Sequence, residues 1–247
     1  GDYQPMQADE GATYARTVEI NLSDLVPTIA LYPRLKSMEP VTNHVGTDID
    51  AVFIGSCTNA NYPNLAKVGE LLRGNRVKVD TAIAPGSQAV ARMLASAGYT
   101  EIFLAAGVRI MENACSACIG QGFSPPSDGV LLSTGNRNFV GRSGTESANV
   151  HLVSPTTAIA SAIAGKLVDV RDSMNGEIKI NEAPMVVDMD VYVAPLPPAE
   201  AAKVELRFGP NIKSLPDLDG LPDALSGEAL LKLGPEVTTD LIQPAGK

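Results

Sequence analysis

DAVFIGSCTN, residues 50–59, joins a run of apolar residues to a polar turn that contains a cysteine. Residues 51–54 predict a short buried strand, because a brief apolar run with β-branched and aromatic members is typical of a strand covered on both faces. The small polar residues 55–59 predict the loop that follows. Ligands of open α/β sheets bind outside the carboxyl ends of the strands. Cys57 is therefore predicted to lie where a ligand would bind.

Short β-branched runs alternate with helical patterns on both sides of this stretch. Such alternation indicates βαβ units, and hence an α/β fold in which a largely parallel sheet lies between helices as a three-layer αβα structure. Ser87 or Gly86 is predicted to cap the second helix. The predicted strands are 50–55, 77–83, 108–111, 130–133 and 151–153, and the predicted helices are 63–73, 88–97, 156–164 and, less regularly, 100–106.

The ends of the chain differ from this centre. Residues 1–46 are predicted to be a connecting arm, with an alternating strand at 18–22 and an extended, proline-punctuated stretch at 25–33. Residues 47–199 form the predicted αβα domain, with further strands at 177–180 and 185–193. Residues 200–247 are predicted to be a linker, with a β-like run at 229–233, that leads into another domain. Gly1 in place of methionine and the abrupt end indicate an excerpt of a longer chain.

Three cysteines are present, Cys57 and the pair Cys115 and Cys118 in NACSACIG, residues 113–120. The pair follows a predicted strand, as Cys57 does, so the two loops are expected to converge. Three thiolates leave one iron of a four-iron cluster open to a substrate. The same residues also allow a zinc site completed by His44 or His151, a disulfide with one thiol left over, or three buried thiols.

Further motifs give the chain a resemblance to a known family. GNRNFVGRSG at 135–144 and LVSPTTAIASAIAG at 152–165 follow the two cysteine motifs in order. Together these motifs resemble those of the aconitase family of iron–sulfur hydro-lyases, and the flanks at 8–33 and 209–246 are also similar. The resemblance implies the aconitase iron–sulfur domain fold. It also implies that Cys57, Cys115 and Cys118 hold a [4Fe–4S] cluster whose fourth iron binds a citrate-like substrate.

The resemblance also implies substrate-binding roles for Asn136, Arg137 and Arg142. A tricarboxylate brings about three negative charges to a chain whose own formal charge is −9, so local cations are needed. Guanidinium groups stay charged and bind carboxylates through two parallel hydrogen bonds. Outside such a motif, two arginines would more often be solvated loop charges.

The implied function is that of a fragment of an aconitate hydratase, which converts citrate to isocitrate through cis-aconitate in the tricarboxylic acid cycle. The implied partners are the missing amino-terminal region and the swivel domain of the parent chain. The acid/base residues of the family lie in those regions, so no catalytic residue is assigned here and the chain is predicted to be inactive alone. His44 and His151 lie outside the family's acid/base motifs, and structural roles are predicted for both.

Some positions depart from the family pattern. Leu241, in TTDLIQPAG, stands where the family often has histidine. Ser116-Ala117 replaces the common Gly-Pro between the paired cysteines, and Gly135 replaces a frequent aromatic residue. These changes keep the three sulfur ligands but are expected to alter cluster exposure and the shape of the substrate site.

Composition excludes some classes of function and leaves alternatives open. Asp and Glu outnumber Lys and Arg by 28 to 19, and aromatic residues are 4% with no tryptophan, which argues against a nucleic-acid surface. No apolar run reaches the ~20 residues of a membrane span, and a cytoplasmic location is expected, or the mitochondrial matrix in a eukaryote. The alternatives are an isopropylmalate or homoaconitate isomerase, an iron-sensing RNA-binding module and a zinc-stabilised interaction domain.

Overall fold

The computed structural model describes residues 4–174, 176–185, 192–235, 237 and 239–243. Seven strands form one sheet in the order β2-β1-β7-β6-β3-β4-β5. The strands β3 to β7 run parallel, whereas β1 is antiparallel to both β2 and β7. The predicted α/β class with a largely parallel sheet is therefore confirmed. The strands are β1 (Thr28–Ala30), β2 (Met38–Pro40), β3 (Ala51–Ile54), β4 (Asp80–Ile83), β5 (Arg109–Ile110), β6 (Val130–Ser133) and β7 (Asn149–Leu152).

The helices of the centre begin and end close to their predicted positions. Short 3-10 turns cover Leu22–Asp24, Val41–His44, Ala117–Ile119 and Val170–Ser173. No helix in the described part of the chain has the length and apolar character needed to cross a membrane. The α-helices are α1 (Ser56–Asn59), α2 (Tyr62–Leu72), α3 (Gln88–Ser96), α4 (Tyr99–Ala105), α5 (Pro155–Ala164), α6 (Pro198–Ala201) and α7 (Thr239–Ile242).

Helix α2 shows how the sequence produces the core. The Asn61 side chain accepts a hydrogen bond from Asn64 N and so satisfies a free N–H of the first turn. Leu65, Val68 and Leu72 recur at helical spacing and are buried against the sheet and α5. Helix α3 begins in the same manner, because Ser87 caps it by accepting from Val90 N.

The two faces of the sheet are covered differently. Val52, Ile54 and Leu132 face the core built with α2, α4 and α5. The alternate residues Ala51, Phe53 and Leu131 face a second core, formed with residues of the loop after β5, in particular Ala117, Cys118 and Phe123. In the described part of the chain this loop, with its single 3-10 turn, covers the second face. The cysteine loop is therefore part of the core as well as a candidate site.

The amino-terminal region departs from the prediction at one point. Residues 18–22 do not form a strand, and Val18, Ile20 and Leu22 are more than half exposed. Their alternating pattern has no partner strand and no core beneath it, so only the Leu22–Asp24 turn forms, with Asn21 as its cap. Of the extended stretch predicted at 25–33, residues 25–31 contain no helix or turn and Thr28–Ala30 join the sheet as β1, whereas residues 32–33 form a turn.

The carboxy-terminal part also forms fewer strands than predicted. Residues 177–180 and 229–233 contain no strand, and Leu230 is 95% exposed. Most of the strand predicted at 185–193 lies outside the described residues. Both stretches contain apolar residues that give a β-like pattern, but no neighbouring strand in the described part of the chain pairs with them. The division into 1–46, 47–199 and 200–247 stays a prediction.

Candidate functional site

Successive strands are added to the sheet on opposite sides of the boundary between β3 and β6. From β3 it proceeds to β4 and β5 on one side, then crosses to β6 and β7 on the other. Such a boundary is a topological switch point, where the loops after the two strands diverge and leave a crevice. The loop after β3 carries Cys57, and the loop after β6 carries the NRNFVGR motif. The predicted site residues therefore lie at the edge of the sheet where ligands bind.

Side chains of the motifs hold the ends of β3 and β6 together. Gly55 N donates to Thr134 Oγ1 at 2.9 Å, and the same hydroxyl donates to Gly55 O at 3.1 Å. Asn59 Nδ2 donates to Thr134 O at 2.7 Å. Thr134 is completely buried, so these bonds are protected from water. These bonds consequently fix the distance between the starts of the loops after β3 and β6.

The three cysteines are all free thiols, but their environments differ. Cys57 lies in the short helix α1 and is exposed, with its Sγ 3.8 Å from Thr58 Oγ1. Cys115 is exposed in the turn after β5. Cys118 lies in the 3-10 turn and is only 7% exposed. One thiol is thus part of the core, and two are accessible from solvent.

Arg142 makes the closest polar contact to a cysteine. Its Nη2 donates to Cys118 Sγ at 3.2 Å, and the arginine itself is 8% exposed. The guanidinium carbon also lies 5.8 Å from the centre of the Phe139 ring, within range of a cation–π interaction. The arginine motif therefore contacts the second cysteine motif directly through this pair of residues.

Two glycines allow this approach. An added Cβ on Gly120 would lie 2.5 Å from both N and Cα of Gly144, and Gly120 also has a positive φ of 80°. The backbones of the two loops are in direct contact at this point, and no side chain fits between them. The glycine that ends NACSACIG and the one that ends GNRNFVGRSG are thus required by the same contact.

Several buried polar atoms in the two loops that form this contact have no hydrogen-bond partner. One of them belongs to Arg142 itself, the residue that donates to the Cys118 sulfur. Unpaired buried polar atoms are rare in folded proteins, and each needs an explanation such as a bound water, an ion or a ligand. Both donors and acceptors are among them. The atoms are Ser116 Oγ, Asn136 Oδ1, Asn138 Oδ1 and Arg142 Nε.

The predicted residues are not all gathered around one point. Among residues 4–174, 176–185, 192–235, 237 and 239–243, no three histidine, cysteine, aspartate or glutamate side chains lie close enough to hold one metal ion. Arg137 is partly buried and donates from Nη1 to its neighbour's carbonyl, Asn136 O, at 2.7 Å. The structure thus unites Cys118 with Arg142 and leaves Cys57 and Cys115 exposed on separate loops.

Sequence reasoning missed residues that organise the site. Asn138 is 1% exposed, and its Nδ2 donates to Ala30 O at 3.3 Å, which ties the arginine loop to β1. Thr134 and Gly144 were also missed. Asn138 and Gly144 belong to the quoted motif and Thr134 directly precedes it, so their position was a signal. Their roles depend on contacts between loops that the sequence does not reveal.

The two histidines line one cavity beneath the β1–β2 hairpin, together with Ile29, Leu31 and other apolar residues. His151 Nδ1 accepts from Tyr32 N at 3.1 Å, and burial lowers the pKa of His151. His44 Nε2 lies 2.9 Å from Glu39 Oε2, and this hydrogen bond lowers the pKa of Glu39. The first contact connects the hairpin to β7, and the second links β2 to the 3-10 turn that follows it.

Comparison with known proteins gives consistent matches over this region. The model of the aconitase family (aconitate hydratase) matches residues 34–165. The 3-isopropylmalate dehydratase large subunit of Thermococcus kodakarensis is 39% identical over 158 residues, which are 64% of this chain and 42% of that protein. The probable methanogen homoaconitase large subunit of Methanosarcina mazei is 36% identical over 170 residues, 68% of this chain and 43% of that protein.

The chain spans about two fifths of the length of these curated relatives. The crystal structure of the holo-form of Thermococcus kodakaraensis aconitase X is 28% identical, with a TM-score of 0.29 over 39% of this chain and 23% of that one. The family match covers more than half of the chain and includes all three cysteines and the arginine motif. The chain therefore belongs to the aconitase family.

Proposed function

We propose that this chain supplies the cluster-binding cysteines and the carboxylate-binding arginines of a hydro-lyase that removes and re-adds water on a hydroxy-carboxylate. The observation that carries the proposal is the buried contact between Arg142 and Cys118, whose two loops also carry unpaired buried polar atoms. A cation beside a sulfur ligand at such a crevice fits an anionic substrate held next to a metal cluster.

The residue types present fit a [4Fe–4S] cluster. Three free cysteines follow two parallel strands whose ends face the same edge of the sheet, and Cys57, Cys115 and Cys118 would hold the cluster. When bound, such a cluster supplies an iron with an open position that acts as a Lewis acid on a substrate hydroxyl. Cys57 and Cys115 are exposed on loops, and binding one cluster would require them to approach Cys118.

The protein groups around Cys118 are complementary to a hydroxy-carboxylate. Arg142 Nε is an unpaired donor for a carboxylate oxygen, and the unpaired Oδ1 atoms of Asn136 and Asn138 are acceptors for a hydroxyl. Arg137, next to Asn136, adds a second positive charge. In a chain with a net charge of −9, these arginines provide the local attraction that an anionic substrate needs.

The choice of substrate is narrowed by the relatives. Those compared above are named 3-isopropylmalate dehydratase and homoaconitase large subunits. They favour a 3-isopropylmalate- or homoaconitate-type substrate over citrate, and they give no support to a place in the tricarboxylic acid cycle. We therefore prefer an isopropylmalate- or homoaconitate-type substrate, the alternative given by the sequence analysis, over citrate. Citrate remains the second candidate because the matching family model describes aconitate hydratase.

The activity is proposed for the whole protein and not for this chain alone. The family's acid/base residues lie in regions that the resemblance places outside residues 1–247. Relatives named as large subunits imply, in addition, a separate polypeptide as partner. We expect the isolated chain to bind a cluster and a carboxylate ligand without turnover.

Isothermal titration of the anaerobically reconstituted chain with 3-isopropylmalate, homocitrate and citrate tests the proposal. Binding is expected, weakened about tenfold or more by Arg142→Gln because a charged hydrogen bond is lost. Arg207→Gln is the matched control, since Arg207 is exposed and lies outside the motifs. Equal affinity in both variants, or no binding of any of the three acids, would contradict the proposed function.

A further inference from the structure

The Cys118 sulfur and the Arg142 guanidinium are buried together, although they are 24 positions apart. Cys118 is 7% exposed and Arg142 is 8% exposed. Within the described part of the chain, Cys57 and Cys115 are exposed and have no guanidinium contact of this kind. The arginine thus distinguishes one sulfur from the other two.

The surrounding backbone fixes the arginine in this place. Arg142 N donates to Phe139 O at 3.0 Å, which closes a tight turn, and the Phe139 ring lies beside the guanidinium. On the other side of the contact, Gln121 N donates to Ser116 O at 2.8 Å and Gly120 N to Ala117 O at 3.2 Å. These bonds close the turn that carries Cys118. Both partners therefore stand on short, hydrogen-bonded turns that meet at Gly120 and Gly144.

The pairing has a chemical consequence for a sulfur that binds metal. N–H donors to ligand sulfurs and other outer contacts orient the ligands of a metal site and tune its properties. Arginine keeps its charge at all relevant pH values, so its N–H groups remain donors whether or not a metal is present. Its Nε stays available for a second partner because it is unpaired here.

We propose that Arg142 is a positioning residue for Cys118: one edge of its guanidinium holds the sulfur in place for the cluster, while Nε remains free for the substrate carboxylate. This inference rests on the proposed function for its cluster, but the contact itself does not need one. Arg142 then couples cluster retention to substrate binding. Arg137, in the same motif, is expected to affect the substrate alone.

A double-mutant cycle on the cluster-free chain tests the contact. Arg142→Gln, Cys118→Ala and the double variant are unfolded with urea, and the coupling between the two changes is extracted. A coupling of about tenfold in the unfolding equilibrium constant is expected. Either single change already removes the charged hydrogen bond, so the double change cannot remove it a second time. Changes that combine independently would overturn the proposal. If Arg142→Gln does not fold, Arg142→Lys replaces it, with a smaller coupling expected.

The rate of cluster loss tests the consequence. After reconstitution, the absorbance of the cluster is followed in the presence of a chelator and without substrate. Arg142→Gln is expected to lose the cluster about tenfold faster than the unaltered chain, the size typical of outer contacts of metal sites. Arg142→Lys is expected to be intermediate, and Arg137→Gln to match the unaltered chain. Equal rates for all variants would overturn the proposal.

The two experiments separate this inference from the proposed function. If the unaltered chain takes up no iron and sulfide, the proposed function fails, while the cycle still decides whether Arg142 positions Cys118. If the chain binds a cluster but the cycle shows no coupling and Arg142→Gln keeps the cluster, the proposed function stands and the positioning role of Arg142 is refuted.

Discussion

The two halves of the candidate site differ in how far the fold alone fixes them. Cys118 and Arg142 are buried in a contact between two closed loops. Cys57 and Cys115 are exposed, and the described residues contain no group of three ligands assembled for a metal. Core packing fixes the first half without any ligand. The fold alone therefore holds the Cys118 sulfur in a buried position and leaves the sulfurs of Cys57 and Cys115 accessible to solvent.

The largest effect is expected at the contact between the two loops. Gly120→Ala places a Cβ 2.5 Å from the backbone of Gly144, and backbone cannot move aside as a flexible side chain does. The free energy of unfolding should fall by about 1–3 kcal/mol from crowding, in addition to the ~1–2 kcal/mol cost of a positive φ. Urea unfolding measures this loss.

Gly74→Ala is the matched control for that experiment. Gly74 has a φ of 77°, close to the 80° of Gly120, but nothing lies within 4 Å of its added Cβ. Only the cost of the backbone conformation should appear there. If the two variants lose the same stability, the loops are not in close contact and the fixed half of the site does not exist as described.

The next largest effect is the difference in stability loss between Cys118→Ala and Cys115→Ala in the cluster-free chain. Cys118→Ala removes a buried sulfur and its bond to Arg142, so the cluster-free chain should lose about 2 kcal/mol in the free energy of unfolding. Cys115→Ala changes an exposed side chain and should stay within about 0.5 kcal/mol. Equal losses would remove the distinction between the two halves of the site.

The parts of the molecule that could be predicted from sequence are those governed by local patterns. Helix α2 follows from its apolar stripe, and the position of Cys57 after β3 follows from the apolar run before it. The predicted strand at 18–22 is wrong because alternation does not reveal whether a partner strand exists. The Arg142–Cys118 bond and the Gly120–Gly144 contact join residues 24 positions apart, and loop geometry at that distance is not encoded in any local pattern.

A smaller effect is expected where the arginine loop meets β1. Asn138→Ala removes the bond from Nδ2 to Ala30 O at 3.3 Å and should lower the free energy of unfolding by about 1 kcal/mol. Asn113→Ala is its control, since the Asn113 Nδ2 bond to Gln88 Oε1 is exposed and should contribute less. A larger loss for Asn113→Ala would show that β1 does not support the loop.

The smallest expected effect is the pH dependence of stability that His151 contributes. It distinguishes a role of His151 in the fold from a role in the metal site. Burial lowers the pKa of His151 in the folded chain. As the pH falls below about 6.5, the unfolded chain therefore protonates this residue at a higher pH than the folded chain does. Stability should therefore fall with pH between 6.5 and the lower folded pKa, and this contribution should level off beneath it. Protonation of Nδ1 would also break the bond from Tyr32 N.

His151→Gln should flatten this part of the stability profile without changing the iron content of the reconstituted chain. Urea unfolding at a series of pH values provides the measurement, and the unaltered chain provides the reference. A profile that is equally steep in the variant would assign the pH dependence to other groups. A loss of iron in the variant would place His151 in the site and not in the fold.

Iron and acid-labile sulfide counting after anaerobic reconstitution tests the central claim most directly. We predict about four irons and four sulfides per chain, and loss of both in Cys57→Ser, Cys115→Ser and Cys118→Ser, because we propose each of the three sulfurs as a ligand. One zinc per chain without sulfide, or full iron and sulfide in any of the three serine variants, would contradict it.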